Sequence, residues 1–257
     1  MDLGIDGRVA LVCASTAGLG LASARALAAE GAHVVVSGRR ADLAQQIAAE
    51  LPKASAVQVD LTAAGAPDEL VDAATAAAGP IDILVLNGPG PVPGPAAGLT
   101  PAGAAGAIDA LLLGHLQLIQ RVLPGMRERG WGRIVAIGSS GVAAPLPNLA
   151  ASNAGRAALA GYLKTLAGEV AADGVTVNMV LPGRIATDRV ADLDRRAAER
   201  TNRSVEEVRA GSEATIPLGR YGHPEEFGAT VAFLAGVPAS YVTGGLVRCD
   251  GGLVGSI

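Results

Sequence analysis

The stretch Val9-Ala10-Leu11-Val12-Cys13-Ala14-Ser15-Thr16-Ala17-Gly18-Leu19-Gly20 decides the fold. It opens as a short apolar run, 9–14, of the kind that forms a strand buried on both faces. It then turns through small polar residues and two glycines. From 19 to 30 the chain is rich in alanine and other good helix formers, and Gly31 follows as a stop. A helix N-terminus presents unpaired N–H groups and partial positive charge, which favour a pyrophosphate. Glycines let phosphates approach the backbone closely. Ser15, Thr16, Gly18, Leu19 and Gly20 are therefore candidate nucleotide contacts. Gly18 and Gly20 fill two of the glycine places of such a turn, and Ala14 stands in the first. Taken alone, the segment reads equally well as a plain tight turn.

Downstream the alternation of strand and helix continues. Strands are expected at 32–37, 55–59, 81–86, 133–137, 176–181 and 246–249. Helices are expected at 41–51, 68–78, 103–126, 150–172 and 224–235, with charged helical segments over 188–211. This order predicts an α/β fold: a single doubly wound Rossmann-type parallel sheet with helices on both faces. No shift in composition marks a linker and no repeat appears, so residues 1–257 read as one domain.

Composition agrees. Half of the 257 residues are apolar and only 2% are aromatic, so the core is built from Ala, Val, Leu and Ile. A net charge of −4 argues against a nucleic-acid partner, which calls for a basic patch. The basic residues are scattered or mixed with acids, as over 188–209, and that stretch reads as a solvated helical face. Cys13 and Cys249 follow neither a C-x-x-C nor a metal-ligand pattern, so buried free thiols and a reducing cytoplasm are expected, with no metal. The N-terminus lacks the basic start and apolar run of a signal peptide. No apolar stretch free of charge and of dense Gly/Pro is long enough to predict a membrane span.

The end of the second strand discriminates between dinucleotides. An acid there holds the ribose 2′-hydroxyl of NAD, whereas arginine accommodates the 2′-phosphate of NADP. The sequence reads Ser37-Gly38-Arg39-Arg40, without an acid. NADP(H) is favoured through Ser37 and Arg39, and NAD(H) stays open. Arg40 is equally well a helix cap.

Further motifs carry a family resemblance. The segment 12–20, Asp60-Leu61, Leu86-Asn87-Gly88-Pro89-Gly90, Leu123-Pro124-Gly125-Met126, Gly132-Arg133-Ile134-Val135, Asn178-Met179-Val180-Leu181-Pro182-Gly183 with Thr187, and Cys249-Asp250-Gly251-Gly252 occur in this order. Together they resemble the short-chain dehydrogenase/reductases, in a branch like the 3-oxoacyl-carrier-protein reductases. The resemblance implies that Asp60 and Leu61 lie at the adenine. It places Asn87 and Gly88 after the fourth strand, and Pro182, Gly183 and Thr187 at the nicotinamide. It also implies a small-molecule substrate and a homodimer or homotetramer through the two long helices. Leu112, Leu113, Leu116, Leu118 and Ile119 exceed what one buried stripe requires.

The same resemblance implies a catalytic Ser, Tyr and Lys with a supporting Asn. Counting along the chain, Ser139 matches the Ser. Ser152 stands in the Tyr place, Arg156 in the Lys place four residues on, and Leu111 in the Asn place. Arginine stays charged at working pH and is no general acid, though it can hold a ribose or phosphate. Ser152 can donate a hydrogen bond or fix a water. Tyr162 lies roughly 15 Å beyond Ser152 along the helix, too far to substitute, and Lys164 reads as a solvated end. His115, one turn past Leu111, either approaches the cleft or lies at a subunit interface or in the core. Asn148 and Asn153 either line the pocket or turn the chain. Residues 184–221 match the family's substrate-lid insertion, facing the Pro-rich loop 89–95. Three functions follow: a divergent NADP(H)-dependent oxidoreductase acting on a carbonyl or alcohol, a non-redox lyase, isomerase or cyclase, or a catalytically silent nucleotide-binding subunit.

Overall fold

In a computed structural model describing residues 1–256, seven parallel strands form one sheet. They are β1 (Val9–Val12), β2 (His33–Gly38), β3 (Ala54–Gln58), β4 (Ile83–Leu86), β5 (Gly132–Ile137), β6 (Val175–Pro182) and β7 (Leu246–Cys249), ordered β3-β2-β1-β4-β5-β6-β7. The strands are apolar on both faces because both faces are covered. Val9 and Leu11 of β1 enter one core, while Ala10 and Val12 enter the other.

The second core is closed by α1 (Gly18–Ala29), α2 (Ala41–Glu50) and α9 (Pro224–Ala235). The first is closed by α3 (Ala66–Ala78), α5 (Gly114–Glu128) and α6 (Ala150–Val170). The chain runs outward from β1 to β3, then crosses back to β4. That reversal opens a crevice at the carboxyl ends of β1 and β4, where ligands bind in such sheets.

Two expectations on this scaffold need correction. The 103–126 helix is not uniform: α4 (Pro101–Ile108) leads through a π turn, Asp109–Leu113, into α5. One wide turn places Leu111 inward, 1% exposed, against Gly155 of α6. The combined helix Pro101–Glu128 is long and apolar enough to cross a membrane by length and composition. Here its Leu118, Ile119, Val122 and Met126 pack into the core. Of the two thiols, Cys13 is buried, whereas Cys249 is only half-buried, being close to the edge strand's end.

At the amino ends of the strands, away from the crevice, Trp131 is sandwiched between Arg8 and Arg133, whose guanidinium carbons lie 4.0 and 4.4 Å from its ring centre. Asp82 pairs there with Arg8 and Arg129 and accepts the Val9 N–H. These charges close the bottom of the sheet.

Candidate active site

A cleft of about 950 Å³ opens above the carboxyl ends of the strands, its walls running from Arg39 and Arg40 through Asn87 to Ser139, Ser152 and Arg156. Its floor is the glycine turn. Ala14, at φ +46°, occupies the left-handed region, which explains why the first strand stops at Val12. Its carbonyl accepts the Asn87 side-chain N–H at 3.2 Å, tying β1 to the segment after β4. Gly20 permits this. A Cβ there would lie 2.5 Å from the Ala14 carbonyl oxygen and 2.8 Å from the Asn87 amide nitrogen. Gly18, at φ +55°, turns the chain into α1, whose N-terminus has no side-chain cap and no acid in its first turn. Thr16, Gly18 and Leu19 line the cleft, so the open helix N-terminus suits a phosphate.

Ser15 and Ser37 do not line it. Both are fully buried. Ser15 Oγ donates to the Val12 carbonyl at 2.8 Å and accepts the Ser37 N–H at 2.9 Å, and Ser37 Oγ donates to the same carbonyl at 3.0 Å. The two hydroxyls tie the end of β1 to that of β2 below the cleft, and their expected direct contact with a nucleotide is corrected to this bracing. Gly20 likewise shapes the turn from behind. Arg39 does line the cleft, as do Asp60 and Leu61 beyond β3. Asp60 accepts both the Thr62 hydroxyl and N–H, which lower its pKa, with Arg39 adding a smaller push.

The other end of the cleft holds the chemistry-bearing residues. Ser139 follows β5. Its Oγ accepts the Gly141 N–H at 3.0 Å, which leaves its proton to donate. Ser152 and Arg156 sit one turn apart on α6 and both line the cleft. The Ser152 hydroxyl has no protein partner among the described residues. Arg156 Nη1 donates to the Ile137 carbonyl at 2.9 Å. Burial first, and Arg189 second, pull its pKa down to about 10, so it stays charged at neutral pH. Among the described residues no tyrosine, lysine or histidine lines the cleft.

The remaining candidates lie outside it. His115 is buried, with Nδ1 2.9 Å from the Leu111 carbonyl. Burial is the main cause of its lowered pKa, and it bridges the π turn behind the cleft wall, its Nε2 on the side of Asn87 and Gly88. Asn153 braces the loop before α6 through both the Leu146 N–H and carbonyl, while Asn148 turns the chain at φ +58°. Lys164 is not merely solvated, since its Nζ donates to the Gly244 carbonyl at 3.2 Å.

Pro182, Gly183 and Thr187 form the third wall. Gly183 is obligatory by contact: a Cβ would lie 2.7 Å from Asp250 Cα, and its N–H donates to the Cys249 carbonyl. The C-terminal Cys249-Asp250-Gly251-Gly252 segment therefore holds this wall in place. Thr187 caps α7 (Asp188–Thr201) beside Gly18, and α8 (Val205–Glu213) follows. The segment 184–221 is pinned at both ends. Asp194, buried on α7, pairs with Arg184 at 3.1 Å and accepts the Tyr221 hydroxyl at 2.9 Å. Sequence reasoning missed Arg189 and Leu193 here. They lie on the cleft-facing side of α7, in a stretch read as a solvated face. Their i, i+4 spacing was the signal available.

Fold and cleft together define an α/β protein of the Rossmann type. The family described as enoyl-(acyl carrier protein) reductase matches residues 13–254. A putative ketoacyl reductase of Streptomyces coelicolor is 34% identical over 96% of this chain and 97% of its own. The 3-oxoacyl-[acyl-carrier-protein] reductase FabG of Aquifex aeolicus is 33% identical over 98% of this chain and 100% of its own. The solved structure of L-sorbose reductase from Gluconobacter frateurii, complexed with NADPH and L-sorbose, superposes with a TM-score of 0.94 at 29% identity, covering 100% of both chains. The chain belongs to the short-chain dehydrogenase/reductase family.

Proposed function

We propose that this protein is an NADP(H)-dependent oxidoreductase that reduces a carbonyl, or oxidises an alcohol, on a small molecule, with an altered proton-transfer end. The observation that carries the reading is the single cleft joining Arg39 to Ser139, Ser152 and Arg156. The nicotinamide, when bound, supplies or accepts the hydride. The uncapped N-terminus of α1 and the Gly18 turn hold the pyrophosphate. Arg39, with Arg40 beside it, meets a 2′-phosphate, and Asp60 and Leu61 meet the adenine. Pro182, Gly183 and Thr187 contact the nicotinamide end. The NADPH bound in the L-sorbose reductase structure supports this choice of nucleotide.

At the reacting carbonyl, Ser139 donates a hydrogen bond to the oxygen. Ser152, in the family's Tyr place, orients a water that relays a proton from bulk solvent to the developing alkoxide, because a serine hydroxyl is too weak an acid to be the final donor. Arg156, in the Lys place, holds charge rather than transferring a proton. Leu111, filling the Asn place against Gly155, leaves no polar side chain there. Calorimetric titration with NADPH and NADH tests the reading together with NADPH consumption over a broad carbonyl panel. Tighter binding of NADPH and measurable turnover are expected. Absence of NADPH binding, or binding without any oxidation, would sink it.

The lack of any tyrosine, lysine or histidine along the described cleft favours one second reading, a non-redox enzyme on the same scaffold. Turnover without change in nicotinamide absorbance identifies that case. The double substitution Ser152→Tyr with Arg156→Lys is expected to raise carbonyl reduction by about 10²-fold or more, the usual contribution of a positioned general acid. A steady-state rate no higher than that of the unaltered protein contradicts the proposed correspondence of places. Assembly as a cytoplasmic homodimer or homotetramer completes the proposal. It rests on the apolar outer face of the long helices, where Leu113 is 44% exposed.

A further inference from the structure

Two guanidinium groups converge on the reaction end of the cleft from different walls, Arg156 from α6 and Arg189 from the first turn of α7. Arg156 uses one N–H on the Ile137 carbonyl. Neither group has a carboxylate partner among the described residues. Arg189 crosses the mouth to lie over Gly90, where a Cβ would come within 2.8 Å of Nη2. Its charge is near enough to lower the proton affinity of Arg156. The acid at this end, Asp188, is exposed and pairs with neither. Pro93, Leu146, Leu149 and Leu193 make the surrounding wall apolar. Like charges facing one cavity disfavour each other, and an anion placed between them removes that penalty. Arginine forks also match the geometry of a carboxylate.

We propose that the cleft takes oxo acids, the carboxylate bridging Arg156 and Arg189 while the oxo group lies against Ser139 and Ser152. The turnover part of this rests on the oxidoreductase reading, and the binding part does not. The competing source of negative charge is the phosphates of the dinucleotide itself.

The test uses the full chain saturated with NADP⁺. Calorimetry follows the binding of 2-, 3- and 4-oxohexanoate, each against its methyl ester, and NADPH consumption is measured with the same pairs. At least one acid is expected to bind about 10- to 100-fold more tightly than its ester, the worth of a charge-assisted contact. Arg189→Gln, at an exposed position that does not endanger folding, is expected to reduce that preference at least tenfold. Arg156→Lys, which keeps the charge but loses the fork, is expected to reduce it less. Acids that bind no better than their esters overturn the proposal. So does an Arg189→Gln protein whose NADPH affinity falls as far as its acid affinity, because the cations then belong to the cofactor phosphates. Selective acid binding without NADPH consumption upholds the anion site and removes the oxidoreductase reading instead.

Discussion

Ala14 shows at one residue what the glycine turn asks of the chain. It holds φ +46°, a conformation that costs an L-residue about 1–2 kcal/mol and glycine almost nothing. The greater freedom of glycine in the unfolded chain offsets part of that, about 0.4–1 kcal/mol. Ala14→Gly is therefore expected to stabilise the protein by about 0.5–1 kcal/mol, raising Tm by about 2 °C. Calorimetry that shows a lower Tm would mean the alanine methyl makes a packing contact worth more than the strain. The position was legible in the sequence because a run of small residues with two glycines there joins the first strand directly to a helix. The roles of Ser15 and Ser37 were not. A hydroxyl buried on backbone groups and one aimed at a nucleotide look alike until the fold shows which partners surround them. Arg189 was hidden for the opposite reason, since the charges around it give the whole stretch a solvated character.

At the level of elements, the lid depends on Asp194. Its two oxygens hold Arg184 from the start of the segment and Tyr221 from its end. Tyr221→Phe removes one charge-assisted hydrogen bond and leaves a buried carboxylate oxygen without it, at a cost of about 1–3 kcal/mol. The expected result is faster proteolytic cleavage within 184–221, with the sheet's protection from hydrogen exchange kept. Equal cleavage rates would show that the Ile185–Gly222 bridge suffices.

The start of α9 is held differently. Two Arg220 hydrogen bonds, then the His223 N–H, bring the Glu226 carboxyl from 4.5 down to about 2. A carboxyl depressed on folding stabilises the protein above its unfolded pKa, and that contribution is lost as pH falls from 4.5 toward 2. Glu226→Gln should flatten this part of the stability–pH curve, measured by denaturant titration. An unchanged slope would show that solvent screens the exposed clip.

Helix boundaries mostly followed from propensity, caps and terminal glycines. The π turn did not, because a run of Asp109-Ala110-Leu111-Leu112-Leu113 satisfies an ordinary helix equally well. Only the packing of Leu111 on Gly155 distinguishes the wider turn.

For the whole molecule, the doubly covered parallel sheet was the most legible feature. Apolar strands separated by helices of suitable length admit a parallel sheet covered on both faces, and this one is. The outer face of the long helices bears on assembly. Leu112 and Leu116 are half-buried and Leu113 is exposed, so an apolar strip remains on α5 and the π turn. Leu113→Glu is expected to shift the protein to a smaller species, followed by light scattering with gel filtration. A wild-type monomer would refute the proposed assembly directly. Two charges brought into a buried apolar contact are costly, so partial dissociation at micromolar concentration is the minimum expected.

The stacked Trp131 gives the molecule a built-in optical gauge. It is the chain's single tryptophan, and it sits between Arg8 and Arg133 at the end of the sheet remote from the lid. Its emission therefore follows separation of the β1 and β5 ends and stays silent when α7 shifts. Comparing that signal with one from the lid separates local opening from loss of the sheet within a single unfolding curve.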